Sequence, residues 1–196
     1  MSAQVEITRA GPDRIGTLAA TYARAFIDDP IVRWPLPDVP DVQDRIRLVF
    51  GSIYLGVAGD GVIWEAGDAD GFAVWIPAGA ADDMFESDAA VQRSLAPLTD
   101  DDGARYAVLW DWIEARVPDD VWYLDAIGVE PSRQGSGVGA ALIRHGLEAA
   151  EDAGVDAFLE TGVAGNVPYY ERFGFRVVEE GRPVPDGPQI WFMRTN

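Results

Sequence analysis

The chain has no lysine and no cysteine, and only one histidine; its fifteen basic residues, all arginine, face 33 acidic ones. Without cysteine there is no disulfide framework, thiolate zinc site or cysteine nucleophile, which agrees with a reducing compartment. One histidine cannot build a zinc site, so no metal is expected, and His145 reads as an exposed helical residue. The missing lysine excludes the lysine-bearing phosphate loop of nucleoside-triphosphate enzymes. No apolar run approaches the ~20 residues of a membrane span, and the N-terminus lacks a basic-then-apolar signal pattern. The expectation is a cytoplasmic protein with no membrane partner. The scarcity of positive charge gives a net charge of -18 and a pI near 4.2. This argues against nucleic acid and favours a cationic partner, although the acidity also serves solubility.

What is present is enough for one domain with a substantial core, 196 residues at 48% hydrophobic, and residues 1–196 are read as a single unit. The most informative stretch is Arg133-Gln134-Gly135-Ser136-Gly137-Val138-Gly139. It follows an apolar strand, Trp122 to Val129, that the Pro131 turn ends. It precedes a helical pattern with Leu142, Ile143 and Leu147 on one face. A glycine-rich loop opening a helix places unpartnered N–H groups and the positive end of the helix dipole where an anion can sit. A tight strand-to-helix turn without a ligand is the other reading.

Gly135, Gly137 and Ala140 also match the dinucleotide fingerprint, with Glu160 about twenty residues on. That fold carries its fingerprint in the first of two strand-helix-strand halves, and only 56 residues, 196 minus 140, follow Ala140 here. A different phosphorylated cofactor is required.

Gln134-x-x-Gly137-x-Gly139 after Ile127-Gly128-Val129 resembles the coenzyme A pyrophosphate loop of the GNAT superfamily of N-acetyltransferases. A second motif agrees in order and spacing: Asn166-Val167-Pro168-Tyr169-Tyr170-Glu171-Arg172-Phe173-Gly174-Phe175. Over roughly the last seventy-five residues the pattern is similar to the puromycin N-acetyltransferases and related small-molecule acetyltransferases. Upstream the likeness narrows to the segment AFIDDP near Phe26 and the strand ending near Trp75, regions expected to face the acceptor. In one departure, Ser136 stands where many relatives carry a basic residue. Arg133 is the candidate to supply that charge, and its loss would cost on the order of 1 kcal/mol or less.

The resemblance implies a mixed, mostly antiparallel α/β sheet flanked by helices, with acetyl-CoA as cofactor. It also implies an enzyme that moves the acetyl group to a primary amine of a small molecule by direct attack in a ternary complex. The cofactor is expected to contact Ile127, Gly128 and Val129, the loop residues Arg133, Gln134, Gly135, Ser136, Gly137, Val138 and Gly139, and Asn166. Tyr170 is implied as the acid; a phenol near pKa ~10 suits a thiolate leaving group of slightly lower basicity. Its other reading is aromatic packing, and Tyr169 beside it reads as structural. Helix capping is the other reading of Asn166. For a general base, Glu160 ranks first and Asp125 second, each having salt bridging or substrate orientation as its alternative. Asp28 and Asp29 are secondary candidates for an acceptor ammonium, with helix capping the competing role.

The remaining pattern gives a strand at Val5 to Arg9, then helices over Ile15 to Phe26 and Val42 to Ile53, the second ending near Gly56. A hairpin follows, Gly61 to Glu65 and Gly71 to Ile76. Helices are expected around Met84 to Leu95 and Tyr106 to Ile113. Strands are expected at Ala157 to Glu160, Phe175 to Val178 and Ile190 to Met193, with a short helix near Pro168 to Phe173. Trp34, Tyr54, Trp64, Trp75, Trp110 and Trp112 supply aromatic surface for an acceptor pocket or for the core. Monomer and homodimer are both compatible. A non-catalytic acyl-coenzyme A binding module and a peptide or protein N-acetyltransferase remain as alternatives.

Overall fold

A computed structural model of the chain describes residues 5–56, 58, 62–80 and 88–195. Among the described residues, seven strands form one sheet in the order β1-β2-β3-β4-β5-β7-β6. They are β1 (Ile7–Arg9), β2 (Ile63–Ala66), β3 (Gly71–Ile76), β4 (Val121–Val129), β5 (Asp156–Thr161), β6 (Arg176–Gly181) and β7 (Ile190–Arg194). Only β4 and β5 pair in parallel. The helix α6 (Val138–Ala153) makes the crossover between them.

The sheet is buried on both faces because its central strands alternate between two cores. Tyr123, Phe158 and Phe192 face one core, and their chain neighbours Leu124, Leu159 and Met193 face the other. The first face is covered by α1 (Ile15–Ala25), α3 (Val42–Tyr54) and α5 (Ala104–Glu114), through Leu18, Tyr22, Ile46, Phe50 and Leu109. The second is covered by α6 through Leu142 and Ile143. Short helices α2 (Pro30–Arg33), α4 (Asp88–Leu95) and α7 (Val167–Glu171) complete the layers.

The α6 helix lies so close to the sheet that a Cβ on Gly146 would fall 2.0 Å from the ring of Trp75. Trp75 is 1% exposed and belongs wholly to this second core.

The expected elements recur with shifted ends. The first strand begins at Ile7, the hairpin's first arm runs Ile63–Ala66, and the sixth strand continues to Gly181. Gly61, and the Met84 to Ser87 part of one expected helix, lie outside the described residues. His145 is not simply exposed: its ring packs edge-on against Trp64, with centroids 4.2 Å apart.

Candidate functional site

The parallel pairing of β4 and β5 runs from Val121 opposite Asp156 to Leu124 opposite Leu159, and stops there. Beyond it β4 continues to Val129 with β3 as its partner. The two strands therefore part, and the backbone edge of residues 125–129 that faces β5 has no strand neighbour among the described residues. Ile127, Gly128 and Val129 line an open cleft of about 620 Å³ at this parting.

The glycine loop forms the far wall. Gly137 is the residue preceding α6, with φ +95°, and Gly135 has φ +75°. Both sit in the left-handed region that glycine enters without penalty, and a Cβ on either would meet no atom within 4 Å. The space beside them is open cleft, so the free N–H groups of the first turn of α6 border a cavity able to take an anion. Gly139 answers a different need, since a Cβ there would lie 3.1 Å from the Tyr169 hydroxyl.

Gln134 lines the cleft and its side chain donates to the Val129 carbonyl at 3.4 Å. Ser136 turns its hydroxyl onto the Arg133 carbonyl, and Val138 is 1% exposed within the second core. What those two can offer an anion is backbone. Arg133 borders the cleft, but its guanidinium is paired with Asp70 at 3.0 Å. Its charge is thus partly neutralised. Arg172, which sequence position did not single out, also lines the cleft, and its guanidinium lies over the Tyr169 ring at 4.7 Å.

A second, more enclosed cavity of about 110 Å³ lies between the first face of the sheet and the helices that cover it. It shares Phe26, Asp29, Ile127, Asn166 and Tyr170 with the cleft. Tyr170 is 7% exposed and stands at this junction, where burial raises its hydroxyl above the ordinary phenol value. Asn166 precedes α7 without capping it, and its amide instead reaches Thr161 at 3.4 Å.

Asp29 caps α2, accepting from the N–H groups of Ile31 at 2.9 Å and Val32 at 3.2 Å, while Asp28 lines the cleft. Of the aromatic residues considered for a pocket, Tyr54 and Trp110 line the cavity, together with Tyr22 and Tyr106. Trp64 and Trp75 belong to the other face, and Trp112 packs on Phe192 under the Arg116 guanidinium.

Asp125 and Glu160 both line this cavity. Tyr54 donates its hydroxyl to Oδ2 of Asp125, and Tyr123 donates to Oε1 of Glu160 at 2.9 Å. The other oxygens, Asp125 Oδ1 and Glu160 Oε2, are fully shielded and have no hydrogen-bond partner. Burial pushes Asp125 up to about 6, an effect that the Tyr54 and Tyr123 hydroxyls partly offset. Burial also lifts Glu160 well above the usual carboxylate range, and the Asp125 charge adds to the rise. Ionising one opposes ionising the other, so near neutral pH the pair carries about one charge rather than two.

The tyrosines were legible only in hindsight. Tyr123 precedes Asp125 by two on β4, and period-two alternation puts both on one face. No group of three or more acidic, histidine or cysteine residues among the described residues is arranged to hold a metal. No helix among them is long and apolar enough to cross a membrane.

The sequence profile of the Acetyltransferase (GNAT) family matches residues 77–175, and the chain belongs to that family of N-acetyltransferases. An uncharacterized N-acetyltransferase of Schizosaccharomyces pombe is 27% identical over 169 residues, covering 80% of this chain and 68% of its own. Among solved structures, the chain is similar to a histone acetyltransferase HPA2 and related acetyltransferase of Corynebacterium glutamicum. There the TM-score is 0.73 at 23% identity, over 100% of this chain and 96% of that one. The polyamine N-acetyltransferase of Drosophila melanogaster aligns with TM-score 0.67 at 13% identity, over 98% of this chain and 100% of the other. These two structural likenesses establish the fold. Enzymes of the family generally use acetyl-CoA as acyl donor.

Proposed function

We propose that this chain transfers an acetyl group from acetyl-CoA to the primary amine of a small molecule, by direct attack in a ternary complex. The observation that carries the reading is that the open cleft and the enclosed cavity meet at Ile127, Asn166 and Tyr170. One pocket suits a phosphorylated cofactor, the other a compact acceptor, and a titratable hydroxyl stands where they join.

The residues present fit the cofactor. The first-turn amides of α6, with the uncrowded Gly135 and Gly137, are suited to a pyrophosphate, and Arg133 and Arg172 supply the cations along the cleft. The free edge of β4 at Ile127 to Val129 is suited to the amides of an extended arm, and Asn166 offers a carboxamide beside it. Acetyl-CoA, when bound, supplies an activated thioester carbonyl. A backbone N–H of β4 aimed at its oxygen would contribute ~3 kcal/mol to the transition state.

The proton steps fall to the cavity. An acceptor that enters as its ammonium first gives one proton to the ionised member of the Asp125–Glu160 pair, and the freed lone pair then bonds to the carbonyl carbon. As the carbon–sulfur bond breaks, Tyr170 gives its own proton to the departing sulfur and takes up the proton that the nitrogen sheds as the amide forms. Because burial raises its pKa, Tyr170 holds that proton throughout the working pH range. The test is incubation with acetyl-CoA and a panel of primary amines, following thiol release and product mass. Stoichiometric N-acetyl product is the expected result, and cofactor binding with no release above hydrolysis on any amine would overturn the reading.

A further inference from the structure

The walls of the enclosed cavity bear on which amine it accepts. Asp125 and Glu160 line it, and one oxygen of each, Asp125 Oδ1 and Glu160 Oε2, is fully shielded and without a hydrogen-bond partner. Asp29, the third acid on its wall, is engaged in capping α2. No basic side chain among the described residues lines the cavity. A buried carboxylate with an unsatisfied oxygen is costly to hold and is relieved by a cationic or donor-bearing guest. Away from the pair the wall is apolar, built by Leu36, Leu95, Leu109 and Trp110, with Tyr106 beside them. These residues come from α4, α5 and the segment after α2, so the apolar wall rises from the helices while the carboxylates stand on the sheet.

We infer, resting on the acetyltransferase reading above, that the acceptor is a monoamine with a hydrophobic, aryl-sized body and no acidic group. Its single ammonium lies against Asp125 and Glu160 beside Tyr170, and its carbon body fills the space under Trp110 and Leu109. An acceptor bearing a carboxylate would bring a second anion to two acids with no cation to meet it. A second ammonium farther along the molecule would leave water among Leu36, Leu95, Leu109 and Trp110, whose side chains offer no anion. An extended peptide needs a long open groove, and this cavity, at about 110 Å³, is small and less open than the cleft it joins.

The experiment compares kcat/KM for 2-phenylethylamine, phenylalanine, spermidine and trialanine at saturating acetyl-CoA, with cofactor binding measured separately by calorimetry. 2-Phenylethylamine should exceed each of the others by at least ~100-fold, the scale on which a site rejects a mismatched charge. If phenylalanine, spermidine or trialanine comes within ~10-fold, the substrate class is wrong while the acetyltransferase reading stands. Thiol release from none of them, with acetyl-CoA bound, removes both. Trp110→Ala adds an independent check: the KM for 2-phenylethylamine should rise at least ~10-fold, with kcat and the KM for acetyl-CoA changed less than ~3-fold. An unchanged amine KM would show that the carbon body does not lie on this wall, and would overturn the inference.

Discussion

The hydroxyl of Tyr123 on β4 donates a 2.9 Å hydrogen bond to Oε1 of Glu160 on β5, at the place where the two strands part. It joins a buried carboxylate to the strand that borders the open cleft. Burial lifts the Tyr123 hydroxyl well above the ordinary phenol value, so it remains a donor at any working pH. The Tyr123 hydroxyl favours the ionised form of both carboxylates, so Tyr123→Phe leaves the Asp125–Glu160 pair less able to ionise. Turnover at pH 7 should fall ~3–10-fold and recover toward wild type near pH 9, as the acid limb of the kcat profile moves up. A uniform loss at every pH would assign Tyr123 to packing alone.

Asp125 links activity to stability with opposite signs. Its folded pKa is about 6 against 3.8 for the free group, so the folded state holds the proton more tightly. Stability from this group is therefore greatest below pH 4 and falls as pH rises through 6. Asp125→Asn removes the cost of the buried charge. At pH 8 the variant should gain up to about 3 kcal/mol, with the advantage gone near pH 4, read from thermal melts at both pH values. The same variant should lose at least ~10-fold in kcat/KM together with the acid limb near pH 6. A melt that is lower at pH 8 than at pH 4, relative to wild type, would contradict the buried-charge account.

A substitution at Gly137 tests cofactor binding separately from folding. With φ +95° and open space at its Cβ position, a side chain there costs backbone strain of ~1–2 kcal/mol and projects into the cleft. Gly137→Val should retain its fold by circular dichroism while losing coenzyme A binding by calorimetry. Normal affinity would move the pyrophosphate away from this loop.

Gly146 reports on the opposite face of the sheet. A Cβ on it would overlap the Trp75 ring at 2.0 Å, so the buried ring or the helix must shift to admit it. Gly146→Ala should destabilise by ~1–3 kcal/mol in denaturant melts. Gly16, on α1 with nothing within 4 Å of its Cβ position, is the control, and Gly16→Ala should leave stability equal or higher.

The glycine loop, the strand before it and the Asn166–Phe175 segment were legible as structural elements because each is continuous in sequence and carries local turn chemistry. The acidic cavity was legible only in part. Glu160 and Asp125 were named singly, but their tyrosine partners stand 37 and 71 residues away and are brought to them by sheet register and helix packing. The pocket aromatics divided for the same reason. Trp75 and Trp110 look alike as residues, yet alternation on β3 sends one to the second core while α5 turns the other toward the cavity. The pairing of Arg133 with Asp70 joins the loop to the turn before β3, a contact that nothing local announces.

The most direct test of the account is to measure coenzyme A affinity and turnover side by side for wild type and Tyr170→Phe, using any amine that the wild type acetylates. Tyr170 stands where the two cavities meet, and the substitution removes only its hydroxyl. With Tyr170 as the acid, affinity should stay unchanged within ~2-fold and turnover should slow by at least ~10²-fold. Turnover equal to wild type would contradict that role, because the proton for the departing sulfur would then come from elsewhere.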